Sequence, residues 1–141
     1  PHRRSGSPVP GSGVNLLLDT RIALWAITDH PSLTRPARDW ISNPRSTVWV
    51  SVVSLWEIAI KHSLGRGDMP VSAREALDYF QRAGYRILPI EPEHTLALAD
   101  LPPHHQDPFD RLLVAQALTE PMRLLTHDSN VARYSDTIIF V

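Results

Sequence analysis

The stretch VNLLLDTRIALWAIT, residues 14–28, decides the fold. Val14 to Leu18 reads as a buried strand, Thr20 to Thr28 reads as a helix, and Asp19 stands at the junction. The pattern recurs near the end of the chain, where Asp128 closely follows the apolar run LLT at 124–126. In open parallel sheets ligands collect beyond the carboxyl ends of the strands, so Asp19 and Asp128 are expected at one edge. Two further acids sit where hydrophobic structure begins or stops: Glu57 in SLWEIAI and Asp110 in DPFDRLL. If helices bring them to the same edge, four like charges force protonation of some members unless a divalent cation neutralises them. The sequence therefore points to an acidic site of the kind that holds metal.

Outward from residue 14, short apolar runs alternate with helical periodicity, the signature of βαβ construction. Further strands are expected at 47–50, 86–90, 123–126 and 137–141. Helices are expected at 35–43, with Pro36 in the first turn, and from Ser51 or Ser54 as cap to Gly65. Others follow from Ser72 to about Ala83, over 91–100, from Pro108 to Thr119, and briefly near 130–134. The order implies an α/β fold with a four or five stranded, mainly parallel sheet and helices on both faces. Residues 1–13, PHRRSGSPVPGSG, lack periodicity and read as a flexible tail or an expression remnant, which leaves 14–141 as one domain.

At 141 residues the chain can bury one real core. It is 43% hydrophobic and 21% charged, and no apolar run approaches the roughly 20 residues that a bilayer span requires. The N-terminal segment lacks the apolar core of a signal peptide. Cysteine is absent, which excludes disulfides, thiolate zinc sites and cysteine nucleophiles and fits a cytoplasmic protein. Any metal must be held by oxygen or imidazole. The formal charge is −1, but neutralising four carboxylates would leave the remaining surface mildly basic, and all its basic residues except Lys61 are arginine, whose planar fork suits phosphate. Neither a G-x-S-x-G elbow nor a P-loop is present, so acyl hydrolysis and P-loop chemistry have no support.

Each acid also has a plainer reading. Asp19 and Asp128 each precede a helix and could simply cap it. Asp107, with Pro108 and Asp110 after it, resembles a capping box and pairs at i,i+4 with Arg111, so Asp107 is assigned to capping and Asp110 to the site. Glu57 lies on a helix that is apolar nearly all round, and acids are almost never buried unless paired or metal-bound. Its alternative is an i,i+4 salt bridge to Lys61, worth roughly 0.2–0.5 kcal/mol on a surface. His104 and His105 in LPPHHQ could form a metal site with Asp107, but a histidine pair in a proline-rich loop is more often solvated, whereas His127, beside Asp128, is better placed to meet a substrate. Arg21 and Arg111 are candidates for backbone phosphate contacts or for structural salt bridges. An oxygen-donor set suits Mg2+ or Mn2+, and two such ions roughly 4 Å apart can promote in-line displacement at phosphorus.

The segments LLLDTRIALW, SVVSLWEIAIKHSLGRG, HQDPFDRLLVAQAL and LLTHDSNVARY, in this order and spacing, resemble a PIN-domain ribonuclease, and within that superfamily a VapC-type toxin of a bacterial type II toxin-antitoxin pair. The likeness covers about Val14 to Val141 and implies a PIN-like three-layer α/β/α fold. It implies that Asp19, Glu57, Asp110 and Asp128 form a catalytic, metal-holding cluster, with Thr126 as a nearby hydroxyl at the substrate side. It also implies Mg2+- or Mn2+-dependent cleavage of single-stranded RNA leaving a 5′-phosphate and a 3′-hydroxyl, a homodimer, and a VapB-like antitoxin. Trp25, Trp40 and Trp56 offer either a partner groove or core packing. Arg21 departs from the histidine that many similar toxins carry.

The leading expectation is thus an endoribonuclease in which Asp19, Glu57 and Asp110 hold a principal ion while Asp128 holds a second ion or orients water, so that metal-activated water hydrolyses the phosphodiester. A phosphatase with Asp19 as nucleophile would need a second acid two residues on, where Arg21 stands. A catalytically inert PIN-like RNA- or protein-binding module would be expected to have lost part of the acidic set, yet all four members are present.

Overall fold

The computed structural model describes residues 13–65 and 69–141. Apart from Gly13, the expected N-terminal tail lies outside the described residues. Five strands form one sheet: β1 Val14–Leu18, β2 Ser46–Ser51, β3 Arg86–Leu88, β4 Arg123–Thr126 and β5 Ile139–Phe140. Their order is β3-β2-β1-β4-β5 and every pairing is parallel, so the sheet has the larger of the two expected strand numbers. Seven helices are described: α1 Thr20–Thr28, α2 Arg35–Ser42, α3 Val52–Ser63, α4 Ala73–Arg82, α5 Pro92–Ala99, α6 Pro108–Thr119 and α7 Ser129–Ala132. None is long and apolar enough to cross a membrane.

The leucine run of β1 is uninterrupted because both faces of the strand are covered. Successive side chains point to opposite faces, so Leu18 joins a core with Ile22, Ala37 and Phe80, while Leu17 joins one with Leu113, Val114 and Val131. Leu125 and Leu124 of β4 divide between the same two cores. Helices α1, α2 and α4 therefore cover one face and α6 and α7 the other, giving three layers. Each fully buried leucine contributes about 1.5–3 kcal/mol relative to exposure.

Several ends follow local chemistry. Ser51, rather than Ser54, caps α3, its Oγ accepting the Val53 N–H at 2.9 Å. Ser72 and Glu75 form a reciprocal capping box on α4. Beyond α4 the chain turns at Gly84, whose φ of +84° suits glycine. Strand β3 stops at Leu88, two residues short of expectation, because Pro89 has no N–H to continue the ladder. Strand β5 keeps only two of five expected residues.

From β1 the chain passes first to β2 and β3 on one side, and later to β4 and β5 on the other. Order reverses between β1 and β4, the switch point where a crevice opens beyond the carboxyl ends. Leu18 lies between Val50 and Leu125, and the Asp19 N–H donates to Leu125 O at 3.1 Å. Both βα turns therefore emerge side by side.

Candidate active site

Asp19 is buried at that crevice, and each of its carboxylate oxygens accepts one hydrogen bond. Its Oδ1 accepts the Ile22 N–H at 2.8 Å, capping α1, and its Oδ2 accepts the Thr126 hydroxyl at 2.6 Å. The capping reading therefore holds, and the same side chain lines the cavity at the crevice. Burial pushes the Asp19 carboxyl up to about 6, with Glu57 adding to the rise and the Thr126 and Ile22 hydrogen bonds and Arg21 opposing it.

Thr126, expected on the substrate side, is completely buried at the end of β4. Its hydroxyl donates to Asp19 and accepts the Asp128 N–H at 3.0 Å, so it ties the two βα turns together and has no place in the cavity lining. Asp128 caps the short α7, with Oδ1 accepting from Asn130 N–H at 2.8 Å and Val131 N–H at 3.2 Å. Burial raises its carboxyl, but hydrogen bonds from His105 and the two backbone N–H groups outweigh it and hold Asp128 below the usual range.

Glu57 is only 6% exposed on α3. One oxygen, Oε2, accepts Lys61 Nζ at 2.6 Å, the i,i+4 pair foreseen as the alternative. The other, Oε1, is buried with no hydrogen-bond partner among the described residues. An unsatisfied carboxylate oxygen at such a site costs free energy in the absence of a cation.

Asp107 caps α6, its Oδ1 accepting the Asp110 N–H at 3.0 Å, and leaves Asp110 in the first turn facing the crevice. Burial pushes the Asp110 carboxyl up to about 7, helped by the charges of Asp107, Asp19 and Glu57 and opposed by His105. Asp19, Glu57, Asp110 and Asp128 all line one cavity of about 380 Å³, which Arg21 and His127 also border. The geometry thus brings together the four acids that the sequence singled out. Arg111 is directed elsewhere: its Nη2 donates to Leu98 O at 3.4 Å and Leu101 O at 3.3 Å, anchoring the end of α5 to α6.

His105 is the residue at the cavity's acids that sequence reasoning weighed, with Asp107 as its partner, and set aside. Expected to be solvated, its side chain is 18% exposed and places Nε2 3.0 Å from Asp128 Oδ2 and 3.5 Å from Asp110 Oδ2. Its backbone N–H donates to the Tyr134 hydroxyl at 2.9 Å, and His104 packs edge-on against the same ring. Ligand atoms of His105, Asp110 and Asp128 lie within 4.8 Å of one another, close enough to share an ion. The tautomer argues otherwise. His105 Nδ1 accepts the Asp107 N–H at 3.0 Å, so the neutral ring carries its proton on Nε2 and donates it toward the carboxylates. His105 therefore orients Asp128, leaving the oxygen donors of the four acids to fit a hard divalent cation.

The structure is a parallel α/β domain with carboxylates gathered at its switch point. The sequence model of the PIN domain matches residues 16–136, and the chain belongs to that family. No curated protein matches it in sequence. Among solved structures, it resembles VapBC2 from Rickettsia felis bound to a promoter DNA fragment, with TM-score 0.65 and 19% identity over 91% of this chain and 98% of that one. It resembles VapBC-1 from nontypeable Haemophilus influenzae with TM-score 0.63 and 18% identity, covering 91% and 97%. FitAcB from Neisseria gonorrhoeae gives TM-score 0.58 and 16% identity, covering 89% and 96%. At these identities the likeness is one of fold.

Proposed function

We propose that residues 14–141 form a metal-dependent endoribonuclease, the VapC-type toxin of a type II toxin-antitoxin pair. The observation that carries the proposal is the orphaned, buried Glu57 Oε1 beside Asp19 and Asp110, whose carboxyls are raised well above their ordinary range. Such a cluster is short of positive charge. PIN family membership supports nuclease chemistry, and the toxin-antitoxin complexes among the structural neighbours support an antitoxin partner.

In this reading Asp19, Glu57 and Asp110 hold Mg2+ or Mn2+, and Asp128, oriented by His105, holds a second ion or a water. The cation would neutralise the acids and activate water against phosphorus. Thr126 keeps Asp19 and Asp128 in register across the switch point. Arg21, exposed at the cavity, contacts the RNA backbone, and His127, exposed beside Asp128, meets the substrate. Cleavage leaves a 5′-phosphate and a 3′-hydroxyl. The protein works in the cytoplasm as a homodimer, held in check by a VapB-like antitoxin.

The test compares cleavage of a mixed cellular RNA pool by wild type and Asp19→Asn with Mg2+, Mn2+ or EDTA. Fragments seen only for wild type with metal support the proposal. Equal inactivity of both, with no metal binding by titration, favours an inert binding module instead.

A further inference from the structure

Four rings follow one another in a row, Phe140, His127, Trp25 and His30, of which the last three line the acidic cavity and Phe140 extends the row beyond it. Phe140 and His127 lie nearly parallel, with centroids 5.6 Å apart and planes 15° apart. His127 meets Trp25 edge-on at 5.6 Å, and Trp25 stacks on His30 at 5.7 Å with 20° between planes. The His127 Nδ1–H donates to the backbone oxygen of Val141, which sets the ring plane. The row is assembled from β5, the β4–α7 turn, α1 and the turn after α1, and so runs along the switch-point edge. Phe140 is 54% exposed, and both imidazoles are exposed. The Arg21 guanidinium lies 5.9 Å from the Trp25 ring centre.

We propose that this row is a stacking rail for unpaired bases, seating the nucleotides beside the phosphodiester presented to the carboxylates. The assignment rests on the nuclease reading and deepens it by saying how a single strand is chosen. Aromatic faces stack on any unpaired base, with a typical effect of roughly 5- to 100-fold in affinity per base, and arginine beside them adds phosphate and cation–π attraction. Bases stacked within a duplex offer no free face, so a rail selects unpaired strands through shape and stacking. Two of the four rings are imidazoles and Trp25, Arg21, His30 and His127 open directly onto the carboxylate cavity, which suits a polyanion with stacking bases better than an apolar protein segment.

The test is fluorescence anisotropy of a labelled, unstructured oligoribonucleotide in Ca2+, with cleavage followed separately in Mn2+. Phe140→Ala, at an exposed ring, should weaken binding roughly 5- to 100-fold, as should Trp25→Leu, while Trp25→Phe should stay within about 3-fold of wild type. Because the rail contacts bases, the salt dependence of binding should be unchanged in both weakened variants, whereas Arg21→Ala should lower its slope by about 0.7 for each phosphate lost. Thermal melts establish that each variant is folded. Wild-type affinity in both Phe140→Ala and Trp25→Leu, with Mn2+-dependent cleavage intact, would overturn the rail, keep the nuclease reading and leave the row as a protein contact. Weakened binding in the variants with no cleavage by wild type in any metal would sink the nuclease reading and leave the rail standing. Failure of wild type to bind the oligonucleotide overturns the rail as well.

Discussion

Replacing Asp110 by asparagine should stabilise the metal-free protein at neutral and alkaline pH. The carboxyl is pushed from its ordinary 3.8 to about 7 by burial and by three neighbouring acids. Between those values the folded state binds more protons than the unfolded chain, so the stability is present at pH 4 and is lost as pH rises through about 7. The upper limit of that loss is about 4 kcal/mol. The side chain is 23% exposed, and part of its repulsion is shared with Asp19, so about 1–3 kcal/mol is expected at pH 8. Asparagine keeps the volume and removes the charge. Urea unfolding in EDTA at pH 4, 6 and 8 should therefore show wild type and Asp110→Asn nearly equal at pH 4 and diverging in favour of the variant as pH rises. Adding Mg2+ at pH 8 should reverse the ranking, because a ligand that binds only the folded state stabilises in proportion to its occupancy. A variant less stable than wild type at pH 8 in EDTA, or a difference independent of pH, would refute the reasoning.

Thr126→Val removes the hydroxyl that bonds Asp19 and Asp128 and leaves the Asp128 N–H unsatisfied; it should cost about 1–3 kcal/mol in chemical denaturation and lower kcat more than it raises KM. His105→Ala frees Asp128 Oδ2 and should weaken Mn2+ binding by about 10- to 100-fold in calorimetric titration, with wild-type affinity counting against an orienting role. Arg111→Ala should lower stability by about 1 kcal/mol yet leave KM for RNA unchanged, since its guanidinium serves Leu98 and Leu101; a raised KM would restore it as a phosphate contact.

Much of the fold is readable because each element of this chain is locally consistent. The leucines of β1 are continuous because two helical layers cover them, and Asp19, Thr34, Ser72 and Asp107 all cap the helices they precede. The shortened β3 was also legible in principle, since Pro89 removes a donor. What local pattern could not supply was contact across the chain. His105 meets Asp128 over 23 residues and Tyr134 over 29, so a histidine in a proline-rich loop gave no sign of its partners. Arg111 shows the opposite error, in which nearness in sequence suggested a shared face. Neighbouring helical residues point about 100° apart, so Arg111 turns from the cavity that Asp110 faces. Glu57 was the most informative acid because an apolar helix made its charge anomalous, and the structure gives that anomaly an atom, Oε1.

The most direct test of the central claim is end-group analysis of a defined oligoribonucleotide cut by the purified protein with Mg2+, with Mn2+ and with EDTA, including a version lacking the 2′-hydroxyl at the cut. The account predicts 5′-phosphate and 3′-hydroxyl ends, formed only with metal and still formed without that hydroxyl. Cleavage that survives EDTA, or that yields 2′,3′-cyclic phosphate and requires the 2′-hydroxyl, would contradict it.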